Sequence, residues 1–168
     1  MATAVQPLTL QEFRTRYHDQ KPYFEYWFGE AIQKAVPTWL HAVLQGIMIQ
    51  ILVRAGYKSG SELELRIDAE WQPVADVVGT LRSIDQYPTD PVEIVVEILS
   101  PDDRLSYVLK KCQNYARIGI PQIFVLDPET KSGWQWNSGS LETVSQLKFA
   151  NGSVVPLSDV WRQLDEQR

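Results

Sequence analysis

A single acid inside an otherwise apolar run, followed by a pair of lysines, is the feature of this chain best suited to chemistry. From Ile94 to Leu99 every residue except Glu97 is apolar, the pattern of a strand covered on both faces. A carboxylate there must be paired, protonated or bound to a cation, because burying a bare charge is very costly. Asp76, within Val74-Ala-Asp-Val-Val78, has the same character. Two carboxylates on neighbouring apolar strands, with Lys110 and Lys111 downstream, suit a divalent metal and a phosphate-cleaving site. The alternative is a pair of acids at strand ends, held by backbone N–H groups or an arginine. Mg²⁺ takes oxygen ligands and keeps several waters, so Asp76, Glu97 and the backbone carbonyl of Ile98 would suffice to hold it, with Mn²⁺ as a substitute. A nearby lysine would orient a water or offset developing charge.

The elements that must position these groups can be read from periodicity. Thr9 caps a short helix ending near Tyr17. Residues 23–36 read as a strand, a turn at Gly29 and a second strand. Thr38 caps a long helix whose apolar face is Leu40, Val43, Leu44, Ile47 and Ile51, and Gly56 ends it. Leu63, Leu65 and Ile67 alternate with Glu64 and Arg66, giving a half-buried strand over 62–68 with Glu62 and Glu64 on its solvated face, the alternative for Glu62 being a supporting group behind the metal ligands. The Asp76 strand follows and Gly79 closes it. Residues 80–91 form a loop, and the Glu97 strand comes next.

Ser100-Pro101 reads as an N-cap and first helical residue, with Asp102 and Asp103 at the positive end of the helix. That helix should reach Ile118 and bury Leu105, Val108, Leu109, Cys112 and Ala116. On its wheel Lys111 flanks the apolar face beside Arg104, with Tyr107 and Tyr115 a turn away on either side, whereas Lys110 points towards solvent. A further strand over 122–127 completes a parallel βαβ unit. A hairpin around Asn137-Ser-Gly-Ser140 and a helix over 157–164 finish the chain.

With 44% hydrophobic and 22% charged residues in 168, one folded domain over 1–168 is expected, and the order of elements makes it mixed α/β. The single cysteine, Cys112, excludes an internal disulfide and fits a buried apolar role. The first residues lack the organisation of a signal peptide, and the most hydrophobic stretch, 40–53, is too short to span a bilayer. A cytoplasmic protein without membrane association is expected. A net charge of −5 argues against broad non-specific nucleic-acid binding. Between Arg104 and Arg117, however, four basic residues occur without an acid. Trp134 and Trp136 are expected to cover a sheet face.

Glu97-Ile-Leu-Ser-Pro101, then Lys111, Tyr115 and Gly119, then Val125-Leu-Asp-Pro128, resemble the core of the Uma-type family of restriction-endonuclease-like proteins, within the PD-(D/E)XK nuclease superfamily. The similarity runs through nearly the whole chain. Phe28-Gly29-Glu30 resembles the family's early Asp-Gly-Glu turn, His41 falls where its first long helix commonly carries a histidine, and Asp76 matches the acid of its Pro-Asp-Val strand. The resemblance implies a restriction-endonuclease-like fold with a mixed sheet flanked by helices, Mg²⁺-dependent phosphodiester hydrolysis with DNA as the expected substrate, and a homodimer. It implies Asp76 and Glu97 as metal ligands, Lys111 as the relocated motif lysine and Glu30 as an accessory acid. The common lysine position, two residues after the glutamate, is Leu99 here. Ala75, Phe28 and Tyr107 also depart from the usual pattern. A non-catalytic dimeric binding module on the same fold is the competing expectation, since fold does not dictate function.

Overall fold

The computed structural model describes residues 6–168. A capping box between Thr9 and Glu12 opens α1 (Leu10–Tyr17). The Phe28–Gly29 turn joins β1 (Phe24–Trp27) to β2 (Glu30–Gln33). Both turn residues have positive φ, 50° and 87°. A Cβ on Gly29 would also lie 2.5 Å from Pro7 Cβ, so only glycine fits there. After α2 (Trp39–Arg54) come β3 (Lys58–Glu64), β4 (Trp71–Gln72), β5 (Val74–Thr80) and β6 (Ile94–Ile98). The second half contains α3 (Leu105–Arg117), β7 (Gln122–Asp127), the hairpin β8 (Ser132–Asn137) and β9 (Ser140–Thr143), the short ribbon β10 (Gln146–Lys148) and β11 (Val154–Pro156), and α4 (Leu157–Asp165).

Six strands form the main sheet in the order β3-β5-β6-β7-β8-β9, and β6 with β7 is its parallel pair. Helix α3 makes the crossover between those two strands, as expected for a βαβ unit. A small sheet, β2-β1-β4, stands beside the main one. Alternation along β6 divides the interior. Ile94, Val96 and Ile98 join Leu44, Met48 and Leu52 of α2 and Leu164 of α4 in one apolar layer. Val95 faces the other way, with Val108, Cys112 and Tyr115 of α3 and with Trp27 and Trp71. The fold is a mixed sheet flanked by helices, as the family resemblance implied. No helix among the described residues is long and apolar enough to cross a membrane.

Three details differ from the periodicity reading. Helix α3 begins at Leu105, with Arg104 as an N-cap that makes no side-chain cap bond. The Ser100 N–H instead bonds Asp103 Oδ2 at 2.6 Å, because Ser100 is held in a tight turn leading to the helix. The buried face of α3 is Val108, Lys111, Cys112 and Tyr115, while Leu105, Leu109 and Ala116 are exposed. Carboxylates beneath Lys111 draw its ammonium inward, and that rotates the face. Finally, β3 lies at 58–64 rather than 62–68, because pairing with β5 runs from Lys58–Thr80 to Glu64–Val74.

Leu52 is fully buried between α2 and the sheet. Leu52→Ala should cost about 2–5 kcal/mol of unfolding free energy. Urea titration of the two proteins would measure it, and a cost below that range would mean that the helix relaxes onto the sheet to fill the space.

Candidate active site

The β5–β6 ladder ends at Val77–Val96. Just beyond it the Asp76 carboxylate accepts the Ile98 N–H through Oδ2 at 2.7 Å, standing in for the sheet bond lost as the strands part. Its other oxygen, Oδ1, accepts Lys34 Nζ at 2.7 Å. Lys34 also reaches Glu62 Oε2 at 3.0 Å and the Val74 carbonyl at 3.1 Å. Glu62 stands across from Asp76, between the paired residues Ser61–Val77 and Leu63–Ala75, and has a φ of 52°. A left-handed glutamate costs about 1–2 kcal/mol, which the Lys34 ion pair and a 2.6 Å bond from Gln45 Nε2 to Glu62 Oε1 help to offset. His41 Nε2 lies 3.6 Å from Asp76 Oδ1, and its Nδ1 is 3.1 Å from Ser100 Oγ.

Glu97 belongs to the adjoining half of the site. Its oxygens accept Lys111 Nζ at 2.9 Å and the Tyr115 hydroxyl at 2.6 Å. Lys111 also pairs with Glu25 at 2.8 Å and donates to the Val74 carbonyl at 3.2 Å. One carbonyl therefore binds both lysines and joins the two halves. Glu25 is held in turn by Trp27 Nε1 at 3.1 Å and the Val74 N–H at 2.9 Å.

Burial opposes the charge of Asp76, yet Lys34, and after it His41 and Lys111, hold that carboxyl far below the usual range. For Glu97 burial wins and pushes the carboxyl up to about 7, against the pull of Lys111. Both ammonium groups are kept above the ordinary lysine range despite burial, chiefly by Asp76 for Lys34 and by Glu25 and Glu97 for Lys111. Burial also pushes the Cys112 thiol up to about 12, which agrees with an inert apolar role.

These groups line an open cavity of about 860 Å³. Lys21, Tyr23, Arg104 and Tyr107 form part of its walls. His41, Glu62 and Asp76 each offer one ligand atom, all within 4.8 Å of one another, a donor set that fits a divalent ion. Four carboxylates, Glu25, Glu62, Asp76 and Glu97, face two ammonium groups across the two halves. With all four ionised, two negative charges remain for such an ion to balance.

The residues singled out in the sequence divide. Asp76, Glu97, Ile98 and Lys111 converge on the cavity. Glu30 is exposed at the start of β2 and is not among the residues lining it; the small sheet turns Glu25 inward instead. The signal for Glu25 was present, an acid between the aromatic residues Phe24 and Tyr26. Glu62 does not lie on a solvated face, since it binds Lys34 and Gln45. Nothing in the sequence distinguished Lys34 from a surface lysine. The basic segment from Arg104 to Arg117 is also no continuous stripe: Arg104 and Lys111 line the cavity, Lys110 is exposed, and Arg117 binds Asp68 at 2.8 Å.

The chain belongs to the Uma2 family, described as "putative restriction endonuclease", whose family model matches residues 10–164. A crystal structure of a "putative nuclease belonging to DUF820" from Anabaena variabilis superposes with a TM-score of 0.81. That likeness covers 94% of this chain and 99% of the other at 19% identity, and so speaks to the fold. No curated protein matches the chain.

Two outcomes follow from the buried charges. Lys111→Met strands Glu25 and Glu97 and should cost about 3–5 kcal/mol, whereas Lys110→Met, at an exposed position, should stay within about 0.5 kcal/mol. Denaturant midpoints would separate them, and equal small losses would show that Lys111 is not the bond between the two acids. The second outcome concerns pH. A folded Glu97 near 7, against 4.5 as its ordinary value, binds a proton that the unfolded chain has already lost, so stability falls as pH rises from about 5 to 7. Asp76 acts oppositely: its contribution is present above its ordinary value and lost in acid. Melting temperatures should therefore drop between pH 5 and 7.5, and Glu97→Gln should flatten that drop. An unchanged slope in the variant would assign it to another group.

Proposed function

We propose that this protein is a nuclease that hydrolyses phosphodiester bonds of DNA with a bound divalent ion, Mg²⁺ or Mn²⁺. The observation that carries this reading is the excess of buried carboxylate at the open end of β5 and β6, facing a cavity large enough for a nucleotide. Membership of a family described as restriction endonuclease supports it, as does the fold shared with a protein described as a nuclease.

Asp76 is the central ligand in this reading. His41 and Glu62 complete the donor group around it, and Glu97 with the carbonyl of Ile98 are the further ligands. These residues would hold the divalent ion, and the chemistry it would supply when bound is Lewis-acid polarisation of a phosphoryl oxygen and a lower pKa for a bound water. The remaining work falls to the chain's own side chains. Lys111 holds Glu97 and Glu25 in place, and its charge offsets negative charge that builds on the phosphate. Tyr115 fixes the orientation of Glu97. Arg104 and Lys21, on the cavity walls, attract the backbone of the substrate, and Tyr23 and Tyr107, on the same walls, supply aromatic contacts to its bases.

Purified protein incubated with single- and double-stranded DNA should cleave with Mg²⁺ or Mn²⁺ and stop with EDTA. Asp76→Asn should abolish cleavage. Arg104→Ala should weaken binding evenly across sequences and reduce the salt slope by about one. DNA binding without cleavage in every metal would favour the non-catalytic binding module, and cleavage that persists in Asp76→Asn would place the chemistry elsewhere.

A further inference from the structure

Lys34 occupies the very oxygens that the divalent ion would need. Its side chain is only 12% exposed, and its ammonium lies 2.7 Å from Asp76 Oδ1 and 3.0 Å from Glu62 Oε2. Both carboxylates belong to the metal-competent group with His41. The other oxygen of each is already engaged, Asp76 Oδ2 by the Ile98 N–H and Glu62 Oε1 by Gln45. An ion drawn to Asp76 Oδ1, the oxygen nearest His41, and to Glu62 Oε2 would compete with Lys34 for their lone pairs. Oxygen ligands sit at roughly 2.0–2.1 Å from Mg²⁺, so an ion on these two oxygens and the ammonium would crowd one small, poorly solvated space. Two cations at that separation repel strongly where water is scarce.

We propose that Lys34 is a tethered internal cation that fills the divalent site in the metal-free protein and must withdraw before an ion binds. Lys34 lines the open cavity from a position just past the end of β2, so its flexible four-carbon stem gives the ammonium a route into the cavity once its bonds to Asp76, Glu62 and the Val74 carbonyl are released. Lys111 does not play the same part, because its ammonium contacts Glu25 and Glu97 and neither carboxylate of the group that includes His41, Glu62 and Asp76. In the metal-free state Lys34 supplies the charge that keeps Asp76 and Glu62 together and sustains the left-handed backbone at Glu62. Binding then becomes an exchange of one cation for another, which lowers the apparent affinity and keeps the site assembled when no ion is present.

This inference rests on the metal site proposed above, and its test can fail separately from it. Mn²⁺ binding to the metal-free full chain would be followed by electron paramagnetic resonance of the unbound ion, for the unaltered protein, Asp76→Asn, Lys34→Met, Lys34→Gln and the double variant Lys34→Met/Asp76→Asn. Thermal melts establish that each is folded, and Lys34→Gln keeps a polar side chain should the methionine variant unfold. Removing the internal cation should tighten Mn²⁺ binding by roughly tenfold or more, equivalent to about 1.4 kcal/mol, and the double variant should lose the gain. The Lys34 variants should also melt lower without metal and gain more from Mn²⁺ than the unaltered protein. Unchanged or weaker binding in both Lys34 variants, with Asp76-dependent binding intact in the unaltered protein, would make Lys34 a structural partner and overturn the inference while the metal site stands. Absence of Asp76-dependent binding in every form would overturn both.

Discussion

Four carboxylates and two ammonium groups meet around the carbonyl of Val74, and the surrounding structure is arranged to make that burial tolerable. Each half pairs a lysine with two acids: Lys34 with Asp76 and Glu62, Lys111 with Glu25 and Glu97. Val74 accepts from both ammonium groups. Removing either lysine leaves two carboxylates without their cation in a poorly solvated place, where the desolvation penalty is not offset. Such a cluster is weak as a source of stability and is better explained by use.

The sheet accommodates this charge by ending at it. Strands β5 and β6 pair through Val77–Val96 and then separate, so Asp76 bonds a backbone amide that has lost its sheet partner. Across β5, Glu62 takes a positive φ and turns its carboxylate towards Lys34. Backbone strain of this kind persists only where surrounding contacts hold it, and such places concentrate at functional sites. The apolar layers on both sides of the sheet supply the rigidity, with α2 packed on one face and α3 on the other.

The two helices deliver polar groups as well as packing. Helix α2 carries His41 and Gln45 on the same face as its core residues, so its buried side is not purely apolar. Helix α3 does the same with Lys111 and Tyr115. In both, a residue type that would ordinarily be solvated is turned inward because a carboxylate waits beneath it. Placing the groups on regular elements, rather than on loops, holds them at fixed distances from one another.

Much of this arrangement was legible in the chain itself. An acid isolated among apolar residues marked Glu97 and Asp76 as groups needing a partner, since no strand buried on both faces tolerates a bare charge. Periodicity located the β6-α3-β7 unit, and the run of motifs from Glu97 to Pro128 pointed to the family. Sequence spacing could not show which partner each acid takes, because ion pairing across a sheet depends on contacts between distant segments. Lys34, before Pro37, became part of the site only when the small sheet folded over β5. Glu25 and Glu30 lie on either side of one turn, and only the packing of that sheet against Val74 turned Glu25 inward and left Glu30 in solvent. The inward rotation of α3 towards Lys111 was likewise decided by the carboxylates below it. Local pattern determined which residues could not be left alone, and tertiary contact decided what they were left with.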